Sequence, residues 1–363
     1  MIRYERIAQH LDWGVVTTTC ALVVIGLMSV YSSTSASGPS IFLRQLTWVC
    51  MGCVFLVAAF AVDYRNLMYS AWPFYALVLL GLVLVFVIGR EISGARRWIE
   101  LGPMRMQPSE IVKIFVIVWL AYWSEKNRHI VAYRFRDLLF PVSVVALPVI
   151  LILLQPDLGT AGIVSFIACA MFIMMGIRRS TLLALSGMVL AGLPAAWFAL
   201  KDYQKTRILT FLDPSRDPQG SGYHAIQSKI AVGSGGLLGK GFLHGTQTQL
   251  NFLPEHHTDF IFSVVAEEWG FAGSILLITL YLILITKIID IGLKAKDRFG
   301  ALICFGIASY FTFHVFINIS MAVGIFPVVG VPLPFVSYGG TFMLINLVCI
   351  GLVLNVAWRR FIF

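Results

Sequence analysis

The stretch NFLPEHHTDFIFSVVAEEWG, residues 251–270, runs without a break into FAGSILLITLYLILIT at 271–286. A polar loop ends there and a long apolar segment begins. Two histidines, His256 and His257, and four carboxylates, Glu255, Asp259, Glu267 and Glu268, crowd the junction. An ionisable side chain costs roughly 2.5–3.5 kcal/mol to insert at mid-membrane, and where one occurs it usually meets a partner, a cavity or a substrate. Asp259 is therefore the first candidate for chemistry.

Outward from this stretch the apolar pattern recurs. Of 363 residues, 58% are hydrophobic and 12% charged, against about 25% charged in average soluble proteins. Mean hydropathy is +0.85. Several runs have the length that crosses a hydrocarbon core of about 30 Å. Backbone groups in lipid must be satisfied within their own segment, and no alternation suggests a barrel, so the runs are helices. The first run, 13–31, is too long for a signal sequence and reads as a retained span.

The expected fold is an all-α polytopic membrane protein of about ten transmembrane helices. They fall at about 13–31, 45–62, 72–89, 109–123, 138–154, 159–176, 181–200, 259–286, 301–323 and 339–358. One large extracytoplasmic loop, 201–258, joins spans seven and eight within a single transmembrane domain, 1–363. Gln155-Pro156-Asp157-Leu158 marks a tight reversal or a broken helix pair between spans five and six. The six cysteines all lie in apolar runs, including Cys50 and Cys53 at redox-motif spacing, and read as small buried packing residues.

With the N-terminus inside, the cytoplasmic segments carry fifteen Lys and Arg, including Arg3 and Arg6, and the short outer loops five. The long loop adds six, among them Lys201, but long loops count little. Both termini are thus expected in the cytoplasm. The five outer cations are Arg44, Arg90, Arg96, Arg97 and Arg105. They are either tolerated charges or the grip for an anionic ligand, since a guanidinium fork suits phosphate oxygens. Trp98 beside them suits a membrane interface.

The loop 201–258 holds glycines at 233, 235, 236, 239 and 241 around Lys240. A phosphate-loop template fails there, because it needs glycine at Ser234 and a hydroxyl at Gly241. Ile226, Ile230, Leu237, Leu238 and Phe242 have the character of a surface-lying segment. Glu110 and Lys113 are three apart at the start of span four and share a helix face, which favours a structural ion pair. Asp157 either caps the next helix or contacts substrate or metal. Asp259, opening span eight, has a bland alternative as a helix cap. His256 and His257 diverge by about 100° on a helix and cannot chelate together, and no zinc site is apparent. A divalent ion such as Mg or Mn, brought by a phosphorylated substrate, is the one metal role left open. The prolines and glycines of NISMAVGIFPVVGVPLPFVSYGGT, 318–341, forbid one straight helix.

Taken together, GARRWIELGPMRMQPSEIVKI at 94–114, QPDLGTA at 155–161, the glycine run, FLPEHHTDFIFSVVAEEWG at 252–270 and GIFPVVGVPLPFVSYGGT at 324–341 resemble the SEDS (shape, elongation, division and sporulation) family. The short tails look more like its elongation members than its division-specific paralogues. Phe342 departs from the small residue often found there, which puts lipid-side packing in question. The resemblance implies a peptidoglycan glycosyltransferase in the bacterial inner membrane that polymerises lipid II for cell elongation and cell shape. Its partners would be a class B penicillin-binding protein and other elongation-complex membrane proteins, with no nucleic acid. It implies Asp259 as the essential loop aspartate and Glu110–Lys113 as the glutamate–lysine pair. Substrate-binding candidates are Arg44, Arg97, Trp98, Asp157, Lys240, His256, His257 and Ser337. No protein motif for a cofactor is present.

The chemistry agrees. A carboxylate activating a sugar hydroxyl contributes about 10²–10⁴-fold. A departing pyrophosphate needs charge neutralisation, from Arg44, Arg97, Lys240 or a cation. One base and a good leaving group suffice for inversion by single displacement, without the paired carboxylates of glycosidases. Two other classes compete. A lipid II flippase would carry polar groups through the midplane, whereas the conspicuous ones here gather at the outer edge. A non-catalytic scaffold would need Asp259 only as a cap.

Overall fold

The computed structural model describes residues 11–35, 38–92, 95–101, 104–200, 202–217, 220–250, 252–253 and 255–360. Arg3, Arg6 and Lys201 of the charge count, Gly94, Gly102 and Pro103 of the arginine-rich motif, and Asn251 and Pro254 of the quoted stretch lie outside them. Each expected span is a helix. In chain order these are α1 (Trp13–Thr34), α2 (Ser40–Ala61), the short α3 (Asn66–Tyr69), α4 (Ala71–Ile88), α5 (Pro108–Lys126), α6 (Phe135–Leu154), α7 (Leu158–Gly176) and α8 (Arg179–Ala199). After α9 (Asp202–Leu212), α10 (Ser221–Ser234) and the short α11 (Thr246–Gln249) come α12 (Ile261–Leu293), α13 (Arg298–Val323) and α14 (Gly340–Arg359). Eight are long and apolar enough to cross a membrane. Of the other two long helices, α5 carries Glu110, Lys113, Glu125 and Lys126, and α8 is apolar over Arg179–Gly192. The chain is a multi-pass membrane protein.

The most enclosed helix is α5, where Trp119, Phe115 and Leu120 are wholly buried. It packs against α4, α7 and α13. Around that centre α14 lies along α2, and α12 along α13 and α1. Charges on α5 are tolerable because its neighbours, rather than lipid, surround them. The cysteines do not all pack inside: Cys20, Cys50, Cys53 and Cys169 are exposed on the bundle's flank, and only Cys304 and Cys349 are buried. In a spanning helix an exposed position faces hydrocarbon, which suits a small apolar side chain equally well.

The arginine-rich segment is not an irregular loop. It forms the antiparallel strands β1 (Arg90–Ile92), β2 (Ala95–Leu101) and β3 (Met104–Met106), in that order. Glu100 stands opposite Arg105 in register, and their side chains pair at 3.2 Å. Alternation along β2 buries Ile99 while Arg96 and Glu100 stay exposed.

Two places show why the glycines are where they are. Helix α12 breaks at Gly270, whose φ of 66° only glycine adopts readily. The break frees backbone groups, and the glycine run meets them. Lys240 N and Gly241 N donate to Glu267 O and Glu268 O at 3.0 Å each, and Phe271 N and Ala272 N donate to Gly236 O and Leu237 O at 2.9 and 3.1 Å. A Cβ on Gly239 would stand 2.1 Å from Glu268 O, so the run must be bare to approach. The second place is the irregular segment 324–339, which is no exposed turn: Leu333, Phe335 and Val336 are fully buried. Its carbonyls are met by side chains, Val331 O by Asn318 Nδ2 at 2.7 Å and Pro334 O by the Tyr281 hydroxyl. Non-helical backbone survives in a membrane protein only when sheltered and satisfied in this way.

Candidate active site

A cavity of about 640 Å³ opens at the end of the bundle that carries the sheet. Arg44 and Trp48 reach it from α2, Arg97 and Trp98 from β2, Arg105 from β3, and Glu110 and Lys113 from α5. The turn before α12 contributes Glu255, His257 and Asp259, and segment 324–339 contributes Gly330 to Pro332.

Asp259 is held by its backbone. Its N–H donates to Glu255 O at 3.1 Å, and its carbonyl accepts from Asn318 Nδ2 at 2.8 Å. The helix cap is Phe260, without any side-chain cap bond, so Asp259 does not cap α12. Among the described residues no donor is bonded to its carboxylate, which is partly open to the cavity. Gly330, at φ +71°, leaves the room: a Cβ there would lie 3.2 Å from Asp259 Oδ2. The enclosing protein and then Glu255 push the acid up to about 7, against the opposing pull of Arg207 and Arg97. Water enters the cavity, yet protein surrounds the carboxylate on its other sides, so loss of hydration dominates.

The cations differ in freedom. Arg97 Nε donates to Gln155 O at 3.1 Å and a second nitrogen to Pro156 O, with Asp157 at 3.9 Å. This pins β2 to the reversal between α6 and α7. Arg105 pairs with Glu100, and Arg44 is exposed at the cavity wall. Asp157 caps α7 through Thr160 N at 3.1 Å, and it also lines the cavity while accepting from Gln107 Nε2 at 3.2 Å. His257 also lines the cavity, beside Tyr338 at 5.6 Å between rings, and burial followed by His256 lowers its pKa, favouring a neutral ring.

Deeper in, Lys113 Nζ bonds both oxygens of Glu110, at 2.8 and 2.9 Å, and His314 Nε2 at 3.1 Å. The three ammonium hydrogens are thus all engaged. His314 Nδ1 stands 3.1 Å from Pro332 O, so the pair is tied to the segment that carries Gly330. Phe342 covers this group, 5.4 Å from Lys113 Nζ and 4% exposed, so the departure at this position bears on the cavity rather than on lipid-side packing.

Three candidates from the sequence stand elsewhere. Lys240 Nζ bonds Glu267 Oε1 at 2.7 Å and Thr246 Oγ1 at 2.8 Å, outside the cavity lining. That carboxylate is fully buried beneath the break in α12, and its charge needs the lysine there. His256 braces its turn, with its ring nitrogens 2.6 Å from Leu253 O and 2.9 Å from Ser33 O. Ser337 Oγ donates to Thr258 O at 2.6 Å and accepts from Leu333 N at 2.8 Å, clamping segment 324–339 to the Asp259 turn. Arg105, one of the five outer cations, does line the cavity. Trp48, His314 and Asn318 were not singled out from the sequence. Asn318 lay inside a quoted motif; His314 sits in an apolar run, and only its rarity there could have marked it.

The family model for FtsW/RodA/SpoVE cell cycle proteins matches residues 9–360. The chain is 40% identical over 356 residues to the peptidoglycan glycosyltransferase MrdB of Escherichia coli K12, covering 97% of this chain and 94% of that one. It is 35% identical over 362 residues to the probable peptidoglycan glycosyltransferase FtsW of Geobacter metallireducens, covering 97% and 96%. Among solved structures it is similar to a chain of "Structural coordination of polymerization and crosslinking by a peptidoglycan synthase complex", with TM-score 0.84, 37% identity and coverage of 97% and 98%. It is also similar to the rod shape determining protein RodA of Thermus thermophilus, with TM-score 0.73, 32% identity and the same coverage.

Proposed function

This chain belongs to the FtsW/RodA/SpoVE cell cycle protein family, and from that membership we propose a peptidoglycan glycosyltransferase that polymerises lipid II, with Asp259 as general base. The observation that carries the residue assignment is an unpaired carboxylate with a pKa near neutrality in a cavity walled by Arg44, Arg97 and Arg105. A base works best with a pKa close to the working pH.

In the reaction the acceptor sugar's hydroxyl loses its proton to Asp259 as its oxygen bonds to the donor's anomeric carbon. The bond from that carbon to the diphosphate oxygen breaks, and its electrons leave with the polyprenyl diphosphate. Single displacement inverts the carbon. The arginines offset charge growing on the leaving group. Arg97, bonded to two backbone carbonyls, is pre-positioned and need not reorganise. Among the described residues no trio of His, Cys, Asp or Glu is placed to hold a metal. A Mg or Mn ion brought as the substrate's counter-ion would be met by Asp157, Glu255 or Asp259. Apolar carrier tails would leave past Met51 of α2 towards lipid.

Higher identity to MrdB than to the FtsW relative favours an elongation role. The synthase-complex neighbour supports a crosslinking partner, a class B penicillin-binding protein. The excess of basic residues on one side supports an inner-membrane protein with both termini cytoplasmic. Purified protein in vesicles with outward-facing lipid II tests the activity. Polymer without translocation is expected; translocation without polymer replaces this reading with the flippase.

A further inference from the structure

The reaction joins two lipid-linked saccharides, so two diphosphates approach Asp259, one departing and one retained. The cavity's arginines form one cationic wall. A second, separate group of cations lies against the start of segment 324–339. Arg207 and Thr210 are three apart on α9 and share its face. With Lys229 of α10 they line a small cleft of about 20 Å³ floored by Phe326, Pro327 and Val328. The same segment, two residues further on, walls the main cavity at Gly330.

Three features make the cleft a built site. Among the described residues the Thr210 hydroxyl has no hydrogen-bond partner, although its residue is only 3% exposed and lines the cleft. Such a hydroxyl is normally bonded. Among the described residues neither Arg207 nor Lys229 has an acidic partner, in contrast to Arg216 nearby, which pairs with Asp213 at 3.3 Å. The frame is rigid: Ser228, next to Lys229, bonds Ala322 O and Ser263 Oγ at 2.7 Å each, seating α10 on α12 and α13. Lys229 then crosses Gly324, which a Cβ would obstruct, at 1.8 Å from Lys229 Cε.

We propose that Arg207, Lys229 and the Thr210 hydroxyl form a second phosphate subsite, which holds the diphosphate of the second polyprenyl-linked substrate in a cleft separate from the cavity walled by Arg44, Arg97 and Arg105. The volume admits a phosphate oxygen or two rather than a sugar, so the saccharide extends from it towards Asp259. Arg207 also acts electrostatically on Asp259, consistent with that proximity. The assignment of the anion rests on the polymerase reading above.

The test is the stoichiometry of polyprenyl diphosphate bound to the full chain in uncharged detergent. Two equivalents are expected for the wild type and one for Arg207→Gln/Lys229→Gln. Thr210→Val, which keeps shape, should weaken the second equivalent about tenfold, the value of one hydrogen bond to a charged group. If the double variant folds poorly, Thr210→Val and Lys229→Gln alone carry the test. Two equivalents retained by the double variant, a second equivalent bound by Thr210→Val or Lys229→Gln as tightly as by the wild type, or a single equivalent in the wild type, overturns the subsite. Displacement of the second equivalent by equimolar phosphatidylglycerol makes it a bulk-lipid site and overturns the substrate assignment. Absence of polymer from the wild type sinks the polymerase reading instead, whatever the stoichiometry.

Discussion

Asp259 carries a cost that the proposed role as general base explains. Its pKa stands at about 7, above the ordinary 3.8. A folded-state pKa raised in this direction means the folded protein binds the proton more tightly than the unfolded chain. The penalty is absent below about pH 4, grows from there to pH 7, and is complete above. At about 1.4 kcal/mol per pH unit, and reduced by water in the cavity, it is on the order of 2–3 kcal/mol. Asp259→Asn should therefore raise the apparent melting temperature at pH 8 and change it little at pH 4.5, measured by thermal unfolding in detergent. The wild-type kcat/KM should climb about tenfold per pH unit below 7 and level off above it. A flat profile from pH 5.5 to 8.5 removes the carboxylate as the titrating base. Lys113 behaves differently. Lys113→Ala leaves Glu110 charged and buried, which costs about 3–5 kcal/mol, so stability should fall together with rate. Replacing both by leucine should restore most of the stability but not the activity. Rate loss from Lys113→Ala with unchanged melting would contradict the tie through His314.

At the scale of elements, the glycine run is the place where backbone geometry outweighs side-chain chemistry. Gly239 has φ +81° and lies against Glu268 O, so Gly239→Ala should destabilise by about 3 kcal/mol or more through strain and overpacking together. Gly233→Ala, with nothing near its Cβ and a helical position, should be neutral or slightly stabilising. Limited proteolysis of the loop and thermal unfolding would read both. The ten long helices were legible because a span of apolar residues announces itself by length. The sheet at 90–106 was not, because β1 and β3 have three residues each and β2, ARRWIEL, does not alternate cleanly between apolar and charged side chains. The run's purpose was hidden too. It answers a break in α12 that lies some thirty residues later, and only packing joins them. Lys240 was misjudged for the same reason: its charge is consumed by Glu267, a partner named in the sequence but with no sign of proximity.

Across the whole molecule, three regions distant in sequence converge on one end of the bundle: the sheet, the turn before α12 and segment 324–339. Asp259, Arg97, Asp157 and His257 were legible as a set because ionisable groups are sparse and cluster at span ends. The brace of His314, Asn318 and Ser337 that aims them was not, because it acts through backbone carbonyls that no residue pattern reports. On the proposed reading the chemistry sits at the mouth of the bundle rather than along a path through it, which favours a polymerase over a carrier. The most direct measurement is the rate of glycan-strand formation from lipid II by purified wild-type protein and by Asp259→Asn, each shown folded by thermal unfolding. A loss of about 10²-fold or more in the folded variant is expected. Polymerisation at the wild-type rate would contradict the account.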